Sequence, residues 1–222
     1  MSQIDRISGG KLNKAKSDGD THLGPTLDAS QNPNHIQLDQ TVDTSDAALK
    51  AAFKDLTDTK TATNWVLFQF ADDGKSSKLE VRGTGKGGFK EIKHALSDCN
   101  GRVVFGALCV IGKDKRESGV TSTRYKYVAF NFVGSAVADV VKAHLNLQKA
   151  KVQRAVFPSV HMTLDLSGDV DTVFSQSDIA KKLNEAGGAH KVTHFDFGDG
   201  SGEVDVAKLI KGDDDDDNDD FD

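Results

Sequence analysis

Apolar residues are sparse before residue 43 and recur afterwards in short, regularly spaced groups. From Ser45 to Leu56 the apolar stripe Leu49, Ala52, Phe53, Leu56 follows an N-cap serine, which predicts an amphipathic helix. Asn64–Phe70 is short, aromatic and β-branched, as a strand is, and a turn follows at Asp72-Asp73-Gly74. Lys78–Arg82 alternates and pairs with that strand as a hairpin. Phe89–Leu96 predicts a second helix, ending near Asp98-Cys99-Asn100-Gly101. Arg102–Ile111 is a nearly continuous apolar run, as in a strand buried on both faces. A charged loop at 112–119 precedes a long strand over Tyr125–Val133.

A third helix is predicted from Ala136 to Arg154, with Val137, Val140, Val141, His144, Leu145 and Leu147 to one side. Lys142, Asn146, Lys149 and Gln153 share a narrow sector of the other side, and Pro158 ends the element. Met162–Leu166 reads as a short strand. Ser175-Gln176-Ser177-Asp178 opens a last helix carrying Ile179, Leu183 and Ala186, which stops at Gly187-Gly188. Strands interspersed with core-facing helices make one α/β (α+β) domain, a central mixed sheet of five to six strands with helices on both faces. The chain has no internal repeat, and the spacing leaves no room for two cores.

Composition changes this picture at the ends. Residues 1–42 contain no aromatic residue and are rich in polar types, so they are expected to be disordered or loosely attached. Residues 43–190 hold 21 Lys+Arg against 17 Asp+Glu, a net charge of +4. Residues 191–222 are expected to be flexible, and eight aspartates crowd into 213–222. A mildly basic domain is thus joined to an acidic run, which the formal charge of −6 conceals. No apolar stretch resembles a leader or a membrane span, and two cysteines, Cys99 and Cys109, suit a reducing compartment. The expected setting is the cytoplasm, without membrane or nucleic-acid partners.

Several strings invite chemistry and fall short of it. Gly83–Gly88 is glycine-rich around Lys86, but a phosphate loop needs Ser or Thr after the lysine and a longer spacing between its glycines. His190 and His194 have zinc-helix spacing without the activating glutamate and follow a helix-ending Gly-Gly. Asp196, Asp199 and Glu203 miss the regular spacing of a calcium loop. Neither cysteine has a basic setting, and no serine–histidine–acid or paired-carboxylate set stands out. No cofactor, metal or catalytic residue is expected.

Three strings carry a family resemblance. Lys181-Lys182-Leu183-Asn184-Glu185-Ala186-Gly187-Gly188-Ala189 is similar to the lysine-rich last helix of the coactosin-like branch of the actin-depolymerising-factor homology family. Ser122-Thr123-Arg124-Tyr125-Lys126-Tyr127, followed by an apolar strand and Gly134, resembles that branch's basic strand. Trp65 with its aromatic neighbours resembles the first strand. The likeness covers about residues 45–190 and implies a single domain of that family over 43–190, without catalysis or cofactor.

The resemblance also implies binding along actin filaments through the basic strand and the last two helices. On it, the candidate actin-binding residues are Arg124, Lys126, Lys142, Lys149, Lys181 and Lys182. Two departures remove charge, Glu185 where the family often has lysine, and Gln153 in the long helix. Basic residues on a helix or a strand edge also occur as ordinary solvated surface. The expected function is a monomeric filament side-binder that modulates the cytoskeleton. One alternative is a depolymerising or actin-monomer-binding factor; against it, 42 residues precede the first helix and Ala138–Val141 lacks that branch's string. Another is an adaptor acting through its acidic tail.

Overall fold

The computed structural model describes residues 42–211 apart from 75, 117 and 189–191. The N-terminal extension expected up to residue 41 and the acidic run lie outside the described residues. The elements in order are α1 (Ala47–Thr57), β1 (Trp65–Phe70), α2 (Ala71–Gly74), β2 (Leu79–Gly85), α3 (Gly88–Ser97), β3 (Val103–Lys115) and β4 (Thr121–Gly134). There follow α4 (Asp139–Val156), β5 (Met162–Gly168), α5 (Val170–Val173), α6 (Gln176–Ala186), β6 (His194–Asp196), β7 (Glu203–Asp205) and α7 (Val206–Lys211).

The sheet runs β2-β1-β3-β4-β5, with β6 on β3 and β7 on β6. Among the strand pairs of the described residues only β4–β5 is parallel, and α4 makes the crossover between them. Because side chains alternate along a strand, the sheet has two cores. On one side Val128, Phe130 and Phe132 of β4 pack with α3 and α6 through Phe89, Ile92, Ile179 and Leu183. On the other, Phe68, Phe105 and Ala129 pack with α1 and α4 through Leu49, Phe53, Val152 and Val156. Cys99 belongs to the first core and Cys109 packs against the second, so the sheet separates the two free thiols. Burial pushes the Cys109 thiol to about 11 and raises Cys99 as well, which leaves both protonated at neutral pH.

Four expectations need correction. Asp46, rather than Ser45, caps α1, its side chain accepting from the Ala48 N–H. Val42, assigned to the loose extension, is buried in the α1 core, and Asp43 bridges to Lys78. The first half of the charged loop expected at 112–119 is strand, because β3 and β4 stay paired as far as Lys115 and Thr121. The sheet has seven strands where five to six were expected, since residues 194–205 of the supposedly flexible segment supply β6 and β7.

Charge explains the last two differences together. The Lys113 ammonium lies 2.8 Å from both Asp196 and Glu203, and Lys115 reaches Glu203 as well. Residues that read as loop in isolation are neutralised by carboxylates about eighty to ninety positions away. Hydrogen bonds from Lys113 and Lys115 hold the Glu203 carboxyl at about 2, below its ordinary 4.5. A depressed carboxylate stabilises the fold above its unfolded pKa, and that stability fades as pH falls through the folded one. Between pH 4.5 and pH 2, wild type should therefore lose urea resistance more steeply than Glu203→Gln, whose profile should be flatter there.

Candidate functional site

The outer end of β4 runs past β1 and carries the basic strand. Its register with β3 is unbroken, so Arg124 and Lys126 share the side of Val128 and Phe130, the α6 side. Tyr125 and Tyr127 take the α1 side; Tyr125 is 43% exposed, and the Tyr127 hydroxyl donates to the Thr57 carbonyl at 3.0 Å. The Tyr127 N–H donates to His161 Nδ1 at 3.0 Å, and the His161 N–H returns a bond to the Tyr127 carbonyl at 2.8 Å. That ring nitrogen must be unprotonated to accept. Burial and then the Lys126 ammonium lower the His161 pKa, which favours the accepting form.

The long helix departs from its expected phase. The buried stripe of α4 is Leu145, Gln148, Val152 and Val156, while Val140 and Leu147 are 56% and 60% exposed. The sequence pattern places both on one side with Leu145, which is buried. Val137, included in the same stripe, precedes the helix, and the remaining apolar residues are too few to set the phase by pattern alone. Val140 and Leu147 lie two turns apart and so face the same way, outward.

Lys142 and Lys149 lie on a flank beside that buried stripe. Lys142 pairs with Asp139 at 2.9 Å. Lys149 reaches Asp165 of β5 at 2.9 Å, and Asn131 Nδ2 donates to the same carboxylate oxygen at 2.8 Å. Both lysines therefore have intramolecular partners. Gln153 is similarly engaged, donating to the Phe157 carbonyl at the helix end.

On α6, Ser175 caps the first turn by accepting from the Asp178 N–H, and Ile179, Ala180 and Leu183 face the core. Lys182 and Glu185 are exposed, and Lys181 is half-buried. The six candidates thus separate. Arg124, Lys126, Lys181 and Lys182 belong to elements on the α6 side, while Lys142 and Lys149 belong to α4 on the opposite side. An 18-residue helix is about 27 Å long. The parallel β4–β5 crossover puts the C-terminal end of α4 near the basic strand, so Lys142 stands at the far end. Exposed Val140 and Leu147 were missed as candidates, and only the helix phase could have revealed them.

The other chemical candidates have structural partners. The glycine-rich string lets backbone pack closely: a Cβ on Gly85 would overlap the Trp65 indole and the Glu91 carboxylate. Trp65 Nε1 donates to Glu91 Oε2 at 2.8 Å and the Gly87 N–H does so at 2.6 Å, which lowers the Glu91 pKa. Asp196 and Glu203 hold Lys113, and Asp199 accepts from Gln176 and Ser201. Among the described residues, no group of three His, Cys, Asp or Glu could hold a metal ion; His190 lies outside them. A groove of about 550 Å³ beside α3 includes Lys93, His94, Ser97 and Asp171. There Lys93 pairs with Asp171, and the Ser97 hydroxyl donates to the His94 carbonyl instead of its ring. No nucleophile–base hydrogen bond forms in it. No helix among the described residues is long and apolar enough to cross a membrane.

Comparison with known proteins places this architecture. The family model described as "Cofilin/tropomyosin-type actin-binding protein" matches residues 41–184. Drebrin-like protein B of Xenopus laevis is 31% identical over 148 residues, which cover 67% of this chain and 36% of that protein. The chain thus spans about a third of that relative's length. Coactosin of Dictyostelium discoideum is 26% identical over 147 residues, covering 66% of this chain and 92% of its own. Among solved structures, coactosin from Entamoeba histolytica superposes with a TM-score of 0.56 at 23% identity, over 68% of this chain and 99% of that one. This last likeness concerns the fold.

Proposed function

Since the chain belongs to the cofilin/tropomyosin-type actin-binding family, we propose that it binds the sides of actin filaments without catalysis, with the outer end of β4 as its electrostatic contact. One observation carries the choice of surface. Arg124 and Lys126 form no ion pair with any described residue, whereas Lys142 and Lys149 already pair with Asp139 and Asp165. A cation without an internal partner is available to a filament, and a positive patch speeds encounter with an acidic surface. The exposed pair Val140 and Leu147 on α4 offers an apolar contact to the same partner. Such a protein would work in the cytoplasm, on the cytoskeleton, as a monomer.

Co-sedimentation with polymerised actin tests this reading, with wild type beside Arg124→Gln/Lys126→Gln at low and moderate salt. Wild type should pellet saturably without raising soluble actin. The double variant should bind roughly tenfold more weakly at low salt, as expected when two charged contacts of about 0.5–1 kcal/mol each are lost. Replacing Lys149 should matter less, because it already serves Asp165. A rise in soluble actin would instead identify a depolymerising factor, and absence of pelleting at either salt would refute filament binding.

A further inference from the structure

Arg124 and Lys126, which form no ion pair with a described residue, and helix α7, which the acidic run follows in sequence, belong to the same sheet side, and we propose that residues 213–222 dock on the surface carrying Arg124 and Lys126. The docked run is an internal competitor for an acidic partner. Its docking is independent of the proposed function, whereas its competition with filaments rests on that reading.

The route across the sheet is short. Arg124 pairs with Gly112, Gly112 with Phe195, and Phe195 with Val204. Three strand spacings separate Arg124 from Val204, about 14 Å. Helix α7 begins two residues later, and the Val206 N–H is fixed to the Thr193 carbonyl at 3.0 Å. Val206 and Leu209 pack into the core of Val110 and Val128, the side that Arg124 and Lys126 also face. The chain therefore leaves Lys211 on the side that carries the unpaired cations. Eleven residues from Lys211 to Asp222 reach at most about 40 Å, ample for that span.

Charge supplies the specificity. The run carries eight aspartates and one asparagine over ten positions, with Phe221 near its end. A tether this short raises the local concentration of the run to about the millimolar range. Weak pairing then suffices to occupy the cations at low ionic strength, and salt releases it. The competing basic positions include Lys208 and Lys211 of α7, Lys181 and Lys182 of α6, and Lys90 and Lys93 of the α3 groove. Lys93 already pairs with Asp171, and Lys208 and Lys211 are so near the run that they guide its start more than they hold its end.

The experiment compares full-length wild type with a full-length variant carrying Asn at all eight aspartates of 213–222, by backbone amide chemical shifts. At low salt, neutralisation should shift the amides of residues 123–127, and adding salt should bring the wild-type spectrum to the variant's. Superimposable amides at 123–127, or changes confined to 90–94, 180–184 or 208–211, would overturn the proposal. The actin arm is separate: at low salt the neutralised variant should pellet roughly threefold or more tightly, with the difference vanishing at high salt. Shifts at 123–127 without any pelleting of either protein would leave docking established and remove the filament reading. Equal pelleting of both at low salt would remove the competition.

Discussion

Phe130→Ala is expected to lower stability by about 3–5 kcal/mol, the cost of deleting a fully buried phenylalanine. In a domain of this size that corresponds to roughly 6–20 °C in melting temperature. Phe130 is completely buried and its ring lies 5.1 Å from that of Phe174. The reason it fits is across the sheet. Gly106 pairs with Phe130, and a Cβ there would overlap the ring tip and stand 2.8 Å from Leu67 Cδ2. Gly106→Ala should therefore cost about 1–3 kcal/mol by overpacking. The two changes should not add: alanine at 106 intrudes on space that alanine at 130 vacates. A double-mutant cycle by urea denaturation should show the pair destabilised by less than the sum, by about 1 kcal/mol or more. Strict additivity would mean that the glycine is needed for something other than the ring.

The second large effect concerns Gly88. Its φ is +62°, and an added Cβ would overlap the Phe197 carbonyl oxygen. The Gly88 N–H also donates to Asn64 Oδ1 at 3.0 Å, while Phe89 N–H donates to Phe197 O at 3.2 Å. Gly88→Ala should cost about 1–3 kcal/mol in backbone strain alone. The overlap must then push residues 197–198 off the start of α3. Phe197 packs edge-on against Phe89 at 5.7 Å, so the displacement opens the core beneath β6 and β7. Hydrogen exchange should show the loss locally, with amides of 195–206 exchanging faster than those of β1 or the inner part of β4. Uniform acceleration would mean that β6 and β7 unfold only with the whole domain.

Gly88 also shows where sequence reading stops. In the sequence, Gly83–Gly88 stands out for the absence of side chains and invites comparison with phosphate loops. In the fold, the absences at 85 and 88 admit Trp65 with Glu91 and the Phe197 carbonyl, and no string near residue 88 announces either neighbour. The same limit hid β6 and β7. Three-residue strands show too little alternation to be read, and they exist here because β3 offers an edge and Lys113 offers charge.

The local pattern alone determined the order of the principal helices and strands, the two-sided burial of β3, the inward stripe of α1 and the inward Ile179 and Leu183 of α6, where Ala186 of the expected stripe is exposed, because period 2 and period 3.6 are written in neighbouring residues. It also determined which residues are basic and where the acidic run lies. Tertiary structure decided which of those cations meet a remote carboxylate among the described residues. Lys149 looked equivalent to Arg124 and Lys126 until β5 brought Asp165 to it, whereas the Lys142–Asp139 pair is local, one turn along the same helix. It decided as well that Val140 and Leu147 face outward, since the phase of a helix with a weak apolar stripe is set by what packs against it. The pairing of Lys149 and the phase of α4 depend on partners remote in the chain, and remote partners meet only when the sheet has formed.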